Sequence, residues 1–118
     1  MTKKPFFLRP TLSLLDTLKI MVNTGYRRFP VVENEEVVGI ITNQDLLKYL
    51  WQNNFKTEAL DEEMKKVMSK KVYSVQSNAD LGEILKIMRE KEIGGLVVLE
   101  GEKLRGIITE RDILNWIE

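Results

Sequence analysis

The chain carries one stretch of sequence twice, and this duplication constrains its fold more than any other feature. A shift of 67 positions lays residues 1–50 on residues 68–117 without a gap, and 17 of the 50 aligned pairs are identical. Matching stretches include Leu18–Met21 with Leu85–Met88, and Gly39–Thr42 with Gly106–Thr109. Since chance similarity would not hold one register over that length, we infer two copies of one structural unit.

The first half of each copy predicts a strand followed by a helix. Pro5–Leu8 and Val72–Val75 are short apolar segments of strand character. Ser13 and Asp80 each precede an acidic residue by three positions, a spacing typical of a helix start. Gly25 in one copy and Gly94-Gly95 in the other end or follow these helices.

The second half of each copy predicts a hairpin and a final helix. Apolar, β-branched runs flank Asn34-Glu35 and Gly101-Glu102, which are suited to tight turns. The predicted strands are Phe29–Val32, Val37–Ile41, Leu96–Leu99 and Leu104–Ile108. The final helices should start near Asn43 and Glu110. Helical spacing predicts that they bury Leu46, Leu47 and Leu50 in the first copy and Ile113, Leu114 and Ile117 in the second.

The predicted fold class is therefore α+β, an α/β sandwich-like arrangement of two β-α-β-β-α repeats. We divide the chain into a first repeat at 1–51, a mostly helical connector at 52–67 and a second repeat at 68–118. Because a single unit of this size has a small core, we expect the two to pack face to face about a pseudo-twofold axis. Met1 aligns with Met68 inside the second copy. Met1 is therefore either an ordinary start or an internal residue of a longer protein.

Composition narrows the classes of function. The chain has no Cys and no His, which removes disulfides, thiolate chemistry and the commonest general base and metal ligand. A metal site or acid–base pair made only of Asp and Glu stays open, but we predict no metal site, no catalytic residues and no required cofactor. The 18 basic and 18 acidic residues cancel, which argues against nucleic acid as a partner. No apolar run approaches the roughly 18 residues of a membrane span, so we expect a cytoplasmic location without a membrane partner.

Two matching strand–Thr-x-x-Asp–helix sequences are the candidate sites. The first places Thr42 and Asp45 after the strand Val37–Ile41, and the second places Thr109 and Asp112 after the strand Leu104–Ile108. One interpretation is purely structural: Thr caps the helix and Asp reaches back to the cap, as in a capping box. The other is a ligand site, and the same residues could serve both roles.

Several features together resemble a tandem pair of cystathionine-β-synthase (CBS) domains, often called a Bateman module. They are the Val67-Met68-Ser69 entry, the capped helices ending in Met, the strands Phe29–Val32 and Leu96–Leu99, and the two Gly-Ile-Ile-Thr-x-x-Asp sequences. The resemblance covers essentially the whole chain. It implies a regulatory module that binds AMP, ADP, ATP or S-adenosylmethionine in clefts between the repeats. It also implies a homodimer and an effector protein as partners.

The resemblance implies roles for the candidate residues. Asp45 and Asp112 would each accept hydrogen bonds from the two ribose hydroxyls, since a carboxylate only accepts. Thr42 and Thr109 would donate to ribose or phosphate near a helix N-terminus. The remaining predicted nucleotide-binding residues are Tyr26, Arg27, Arg28, Ile93, Gly94, Gly95 and Arg111.

The two copies differ where positive charge lies. Arg111 aligns with Gln44, while Arg27 and Arg28 align with Gly94 and Gly95. An Arg guanidinium suits phosphate, although exposed Arg residues also serve solubility. The two glycines could be a helix C-cap, or a bare backbone that adenine can approach. We hypothesise that Arg111 and Arg27 or Arg28 converge on one phosphate, which would make the two clefts unequal.

Two other functions stay open at this stage. The first is an interaction module with idle clefts that dimerises or docks onto a partner, or a fragment that regulates a larger enzyme or transporter. Late aromatic residues such as Trp51 and Trp116 could serve a dimer face or the core. The second is an enzyme that uses Asp45 and Asp112 as an acid–base pair, which we rank last because they belong to symmetry-related sites.

Overall fold

The computed structural model describes residues 2–3 and 7–117, and it shows the predicted α+β fold. Contacts divide the chain into two compact units, Phe6–Lys71 and Met1–Pro5 with Val72–Glu118. In chain order the elements are β1 (Thr2–Lys3), α1 (Leu14–Thr24), β2 (Arg28–Glu33), β3 (Glu36–Thr42), α2 (Asn43–Gln52), 3-10 helices at Thr57–Asp61 and Met64–Lys66, β4 (Ser74–Gln76), α3 (Leu81–Lys91), β5 (Gly95–Glu100), β6 (Lys103–Thr109) and α4 (Glu110–Ile117).

The helix starts follow the predicted caps. The Asp16 N–H donates to Ser13 Oγ at 3.0 Å, and the Glu83 N–H donates to Asp80 Oδ1 at 2.8 Å. Each bond satisfies one of the backbone donors that a helix N-terminus leaves without an intrahelical partner.

The helix ends show what the duplication conceals. Gly25 ends α1 with a left-handed φ of 75°, as predicted. Its counterpart is Glu92, which ends α3 with a left-handed φ of 53° although it is not glycine. The C-cap interpretation of Gly94-Gly95 is therefore wrong, because the chain has already turned at Glu92 and β5 begins at Gly95.

The first unit is built on the antiparallel pair β2–β3, packed against α1 and α2. Its core includes the fully buried Leu14, Phe29, Ile41 and Leu46. The connector completes this core, because Met64 from the second 3-10 helix is also fully buried. The connector's backbone is fixed to the start of α1, where the Leu14 N–H donates to the Glu62 carbonyl at 2.9 Å.

The second unit contains a four-stranded sheet in the order β1-β6-β5-β4. β5 and β6 form the antiparallel hairpin, and β4 pairs with β5 in parallel, as expected when a helix returns the chain. Its core includes Ile84, Leu96, Ile108 and Ile113. Leu81, which aligns with the fully buried Leu14, is 38% exposed.

The opening segments of the two copies are exchanged between the units. Thr2 and Lys3 open the first copy but pair with Ile107 and Gly106 in the second unit. Ser69 opens the second copy but exchanges two 2.9 Å backbone hydrogen bonds with Ile40 in the first unit. The compact units and the sequence repeats thus divide the chain differently at these segments.

Two predicted strands have different bounds. Of Pro5–Leu8, residues 5 and 6 lie outside the described residues, and Leu8 forms a single parallel bridge to Val31. The strand predicted at Val72–Val75 is found at Ser74–Gln76. The shift arises because Ser74 is the first residue to pair with β5, at Val97. Apolar pattern alone does not specify where strand pairing begins.

The final helices begin at Asn43 and Glu110, as predicted, but they bury fewer leucines than expected. Leu46 and Ile113 are buried, whereas Leu47 and Leu114 are 56% and 63% exposed. One residue along a helix turns the side chain by about 100°. Leu47 and Leu114 therefore point away from the core that their neighbours fill.

Candidate functional site

A helix cap holds the Thr and Asp of each candidate site together. The Thr42 N–H donates to Asp45 Oδ2 at 3.0 Å, and the Asp45 N–H donates to Thr42 Oγ1 at 3.1 Å. In the second copy the Thr109 N–H donates to Asp112 Oδ2 at 2.9 Å, and the Asp112 N–H approaches Thr109 Oγ1 at 3.4 Å. The capping-box interpretation is therefore correct for both copies.

The cap leaves part of each carboxylate available. Both Asp side chains are half-buried, and only Oδ2 takes part in the cap. Oδ1 of Asp45 and of Asp112 accepts no hydrogen bond from any residue that the structure describes. The cap thus orients a carboxylate whose second oxygen can still accept hydrogen bonds.

Strand pairing sets the neighbours of each Thr. Arg28 lies directly opposite Thr42 in the β2–β3 pair, and Gly95 lies directly opposite Thr109 in the β5–β6 pair. Opposite residues in an antiparallel pair project from the same face of the sheet. A half-buried Arg therefore stands beside Thr42, whereas no side chain stands beside Thr109.

The residues before Arg28 and Gly95 are hydrogen-bonded to the start of the final helices. The Asn43 N–H donates to the Arg27 carbonyl at 2.8 Å, and the Glu110 N–H donates to the Gly94 carbonyl at 3.1 Å. These bonds join the start of the hairpin to the first turn of the final helix. We call the resulting groups the first corner (Arg27, Arg28, Thr42, Asp45) and the second corner (Gly94, Gly95, Thr109, Arg111, Asp112).

The other two predicted residues lie just before the corners. Tyr26 is 50% exposed, and its ring contacts Phe29 with the ring centroids 6.0 Å apart. Ile93 is half-buried and donates its N–H to the Met88 carbonyl at 3.1 Å. Tyr26 thus offers an exposed aromatic face beside the first corner, and Ile93 an aliphatic side chain beside the second.

The charges of the two corners differ more than the predicted set indicates. The first corner holds two Arg side chains and one Asp. In the second corner, Arg111 stands between Glu110 and Asp112 in the first turn of α4. Sequence reasoning missed Glu110, although its alignment with the neutral Asn43 was a visible signal. None of Arg27, Arg28 and Arg111 forms an ion pair with a described residue.

The glycine of the Gly-Ile-Ile-Thr sequence has a structural role in the first unit. A Cβ built on Gly39 would lie 2.7 Å from Met68 Sδ and 2.8 Å from the Ser69 carbonyl oxygen. Such distances are too short for a carbon atom. Gly39 therefore leaves room for Met68 and Ser69, where Ser69 pairs with Ile40 of β3. The Thr and Asp of the same sequence form the cap.

A polar cluster links α2 to the connector. The Tyr49 hydroxyl donates to Glu62 Oε2, and Lys66 Nζ lies 3.1 Å from Glu62 Oε1. The Tyr49 hydrogen bond, followed by that of Lys66, lowers the pKa of Glu62. The same hydrogen bonds to Glu62 raise the pKa of Tyr49 and of Lys66. Tyr49 lies one turn after Asp45, so the first corner is connected through α2 to this cluster.

Two structural absences concern the described residues only. Within residues 2–3 and 7–117, no group of three or more acidic side chains is placed to hold a metal ion. In the same part of the chain, no helix is long and apolar enough to cross a membrane.

Comparison with known protein families assigns the fold. The CBS domain model matches residues 1–52 and again residues 64–118. The chain is a tandem pair of CBS domains. Each match contains one of the two strand–Thr-x-x-Asp–helix sequences.

Solved structures agree with this assignment. Protein MJ1225 of Methanocaldococcus jannaschii, proposed as an archaeal homologue of g-AMPK, superposes with a TM-score of 0.89 at 32% identity, over 100% of this chain and 46% of that chain. The CBS domain pair of protein MJ0100, in complex with 5′-methylthioadenosine and S-adenosyl-L-methionine, superposes with a TM-score of 0.87 at 24% identity, over 99% of this chain and 90% of that chain. At that identity the second similarity shows the fold alone.

A curated relative of similar sequence is an uncharacterised 33.4 kDa protein in the ribosomal RNA operon of Thermofilum pendens. It is 34% identical over 123 residues, which cover 98% of this chain and 41% of the relative. The chain thus spans less than half the length of the first curated relatives it matches, at 41% and 44%.

Proposed function

We propose that this CBS pair is a regulatory module that binds an adenosyl ligand at its corners and performs no chemistry on it. The candidate ligands are AMP, ADP, ATP and S-adenosylmethionine. Asp45 and Asp112 would receive the ribose hydroxyls, and the neighbouring Thr and Arg residues would contact the remainder of the ligand.

One observation carries the proposal. In each corner a half-buried carboxylate is held in place by a cap yet keeps one oxygen without a described partner. A fixed carboxylate with a free oxygen suits a pair of adjacent hydroxyls, because the geometry is set before the ligand arrives. The adenosyl ligands in the MJ0100 CBS pair support this choice of ligand class.

We infer that the module is not an enzyme. Asp45 and Asp112 are each engaged in a helix cap by the Thr of their own repeat. An acid–base pair needs two groups that act on one substrate. The chain also has no His and no Cys to act as base or nucleophile.

Regulation would operate by population shift. A ligand changes the balance of two conformations only if it binds them with different affinity. The first corner has a physical connection suited to this, since α2 joins Asp45 to the Tyr49–Glu62–Lys66 cluster on the connector. We propose that an effector protein reads the resulting change.

A second candidate function is protein–protein interaction, supported by an exposed apolar surface formed by α2 and the residues that follow it. Leu47, Trp51 and Phe55 are 56%, 73% and 55% exposed. The Trp51 and Phe55 rings meet edge to face with centroids 6.0 Å apart. Exposed aromatic groups of this kind often mark interfaces. A homodimer or an effector complex would cover them, and sedimentation of the protein with and without Trp51→Gln would detect the homodimer.

A thermal-shift panel tests the proposed function. The panel contains AMP, ADP, ATP, S-adenosylmethionine, nicotinamide dinucleotides and cyclic dinucleotides. A ligand present at 100 times its Kd should add about 2.7 kcal/mol to the free energy of unfolding. If no member of the panel raises the melting temperature, the binding proposal is wrong and the interaction function gains. Turnover of a nucleotide would instead support an enzyme.

A further inference from the structure

We propose that the two corners sort adenosyl ligands by charge. The first corner takes a phosphorylated adenosine nucleotide, and the second takes an adenosyl compound without phosphate, such as a thioether or a sulfonium. This inference rests on the proposed function and assigns a ligand class to each corner.

The two Thr residues have different cross-strand neighbours. Arg28 is opposite Thr42, so its guanidinium leaves the sheet on the face where the Thr hydroxyl lies. It is half-buried and forms no ion pair with a described residue. At the equivalent position the second corner has Gly95, which supplies room but no charge.

The first turn of the final helix also differs between the corners. In α2 this turn reads Asn43-Gln44-Asp45, with one negative charge. In α4 it reads Glu110-Arg111-Asp112, with one negative charge on each side of one positive charge. With Arg27, Arg28 and Asp45 counted, the first corner carries one net positive charge. With Glu110 added to Arg111 and Asp112, the second carries one net negative charge.

The third difference concerns hydrogen-bond donors and is independent of charge. The Thr109 hydroxyl lies 3.2 Å from Asp112 Oδ2 and donates its proton to that carboxylate. The Thr42 hydroxyl accepts from the Asp45 N–H and donates to no residue in the described part of the chain. The first corner therefore keeps a hydroxyl donor for a ligand anion, whereas the second has already used its own.

These three differences act in the same direction. A phosphate monoester carries about −1.5 to −2 charges near neutral pH and accepts several hydrogen bonds. It is attracted by Arg28 and the free hydroxyl of the first corner. At the second corner the negative charges of Glu110 and Asp112 outnumber the one positive charge of Arg111 and disfavour a phosphate, while a neutral or positively charged adenosyl group does not experience this repulsion.

Single-corner variants allow a direct test. Asp45→Asn should weaken binding at the first corner and Asp112→Asn at the second, and both keep an oxygen that can accept the cap hydrogen bond. Each variant is titrated calorimetrically with AMP and with 5′-methylthioadenosine, which share the adenosyl group but differ in phosphate. Circular dichroism spectra of both variants serve as the control for folding.

The expected result is a reversal of preference. Asp112→Asn, with the first corner intact, should bind AMP at least about tenfold more tightly than 5′-methylthioadenosine, and Asp45→Asn should show the opposite order. If both variants prefer the same ligand, the sorting is wrong and the proposed function stands. If the unmodified protein binds neither probe nor any member of the thermal-shift panel, the proposed function is wrong and the sorting falls with it.

A second pair of changes separates charge from folding. In the Asp112→Asn background, Arg28→Gln should weaken AMP binding about tenfold and leave 5′-methylthioadenosine binding unchanged. The matched control is Lys19→Gln, which removes one positive charge from the exposed face of α1. In the Asp45→Asn background, Glu110→Gln should strengthen AMP binding. Equal effects of Arg28→Gln on both ligands would contradict the charge-based mechanism.

Discussion

The first and second corners share one cap and differ in what surrounds it. Both join Thr to an Asp three residues later through a backbone N–H and Oδ2. The strand opposite supplies Arg28 in one corner and Gly95 in the other. Duplication has therefore retained the element that positions the carboxylate, while the residues that set charge have diverged. The Thr-x-x-Asp sequence therefore locates a candidate site without specifying its ligand.

The largest expected effect comes from removing a corner carboxylate. Asp45→Ala should weaken binding at the first corner by roughly 10- to 100-fold, since hydrogen bonds to a charged group contribute about 1.5–3 kcal/mol. It should also lower the free energy of unfolding by about 1 kcal/mol, because the Thr42 N–H loses its hydrogen-bond acceptor. Asp45→Asn should reduce binding but retain most of the stability. Calorimetry and urea unfolding measure the two effects, and equal losses of stability in both variants would contradict the division of roles.

The next effect concerns the glycine of the motif. Gly39→Ala should lower the free energy of unfolding by about 1–3 kcal/mol, because the added Cβ would collide with Met68 and Ser69. Urea unfolding gives the value. The control is Gly82→Ala in the first turn of α3, where the added Cβ meets only Asp80 Oδ1 at 3.4 Å. An unchanged midpoint for Gly39→Ala would show that Met68 and Ser69 do not pack closely against Gly39.

The two helix ends give a smaller effect of opposite sign. Glu92→Gly should raise the free energy of unfolding by up to about 1 kcal/mol, because glycine adopts a left-handed φ without strain. Gly25→Ala should lower it by a similar amount. Thermal unfolding of the two variants measures both. Changes of the same sign would contradict the equivalence of Gly25 and Glu92.

The smallest effect is expected at the Tyr49–Glu62 pair, which has no counterpart in the second copy. The Tyr49 hydrogen bond lowers the pKa of Glu62 in the folded protein. The contribution of this hydrogen bond to the free energy of unfolding is therefore present above the ordinary pKa of a Glu, about 4.3. It is lost as the pH falls through the lowered pKa of Glu62. Tyr49→Phe should melt slightly below the unmodified protein at pH 7, and the gap should close in acid. A gap that widens in acid would contradict this assignment.

Much of the fold could be predicted from sequence because the duplication presents each signal twice. The caps at Ser13 and Asp80, the turn at Asn34 and the starts of both final helices have local causes. The bounds of β4 could not be predicted, because they depend on pairing with β5. Nor could the left-handed Glu92, since its residue type gives no indication of the strained backbone that the duplicated fold imposes.

The site could be predicted in its parts but not in its contrasts. The Thr and Asp residues follow from the repeated sequence, and the nearby Arg and Gly residues from the alignment. That Arg28 faces Thr42 requires the strand register, and that the Thr109 hydroxyl is already used requires side-chain positions. The effect of Glu110 depends on its place beside Asp112 in the first turn of α4.

We expect the corners to bind an adenosyl ligand and to do so unequally. Titration of AMP into ¹⁵N-labelled protein, followed through the backbone amide signals, tests it most directly. We predict that the amides of Arg28 and of residues 42–45 shift at lower AMP concentrations than those of residues 109–112. Equal shifts at both corners would contradict the inequality. Shifts confined to Leu47, Trp51 and Phe55, or no shifts at any AMP concentration, would contradict binding at the corners.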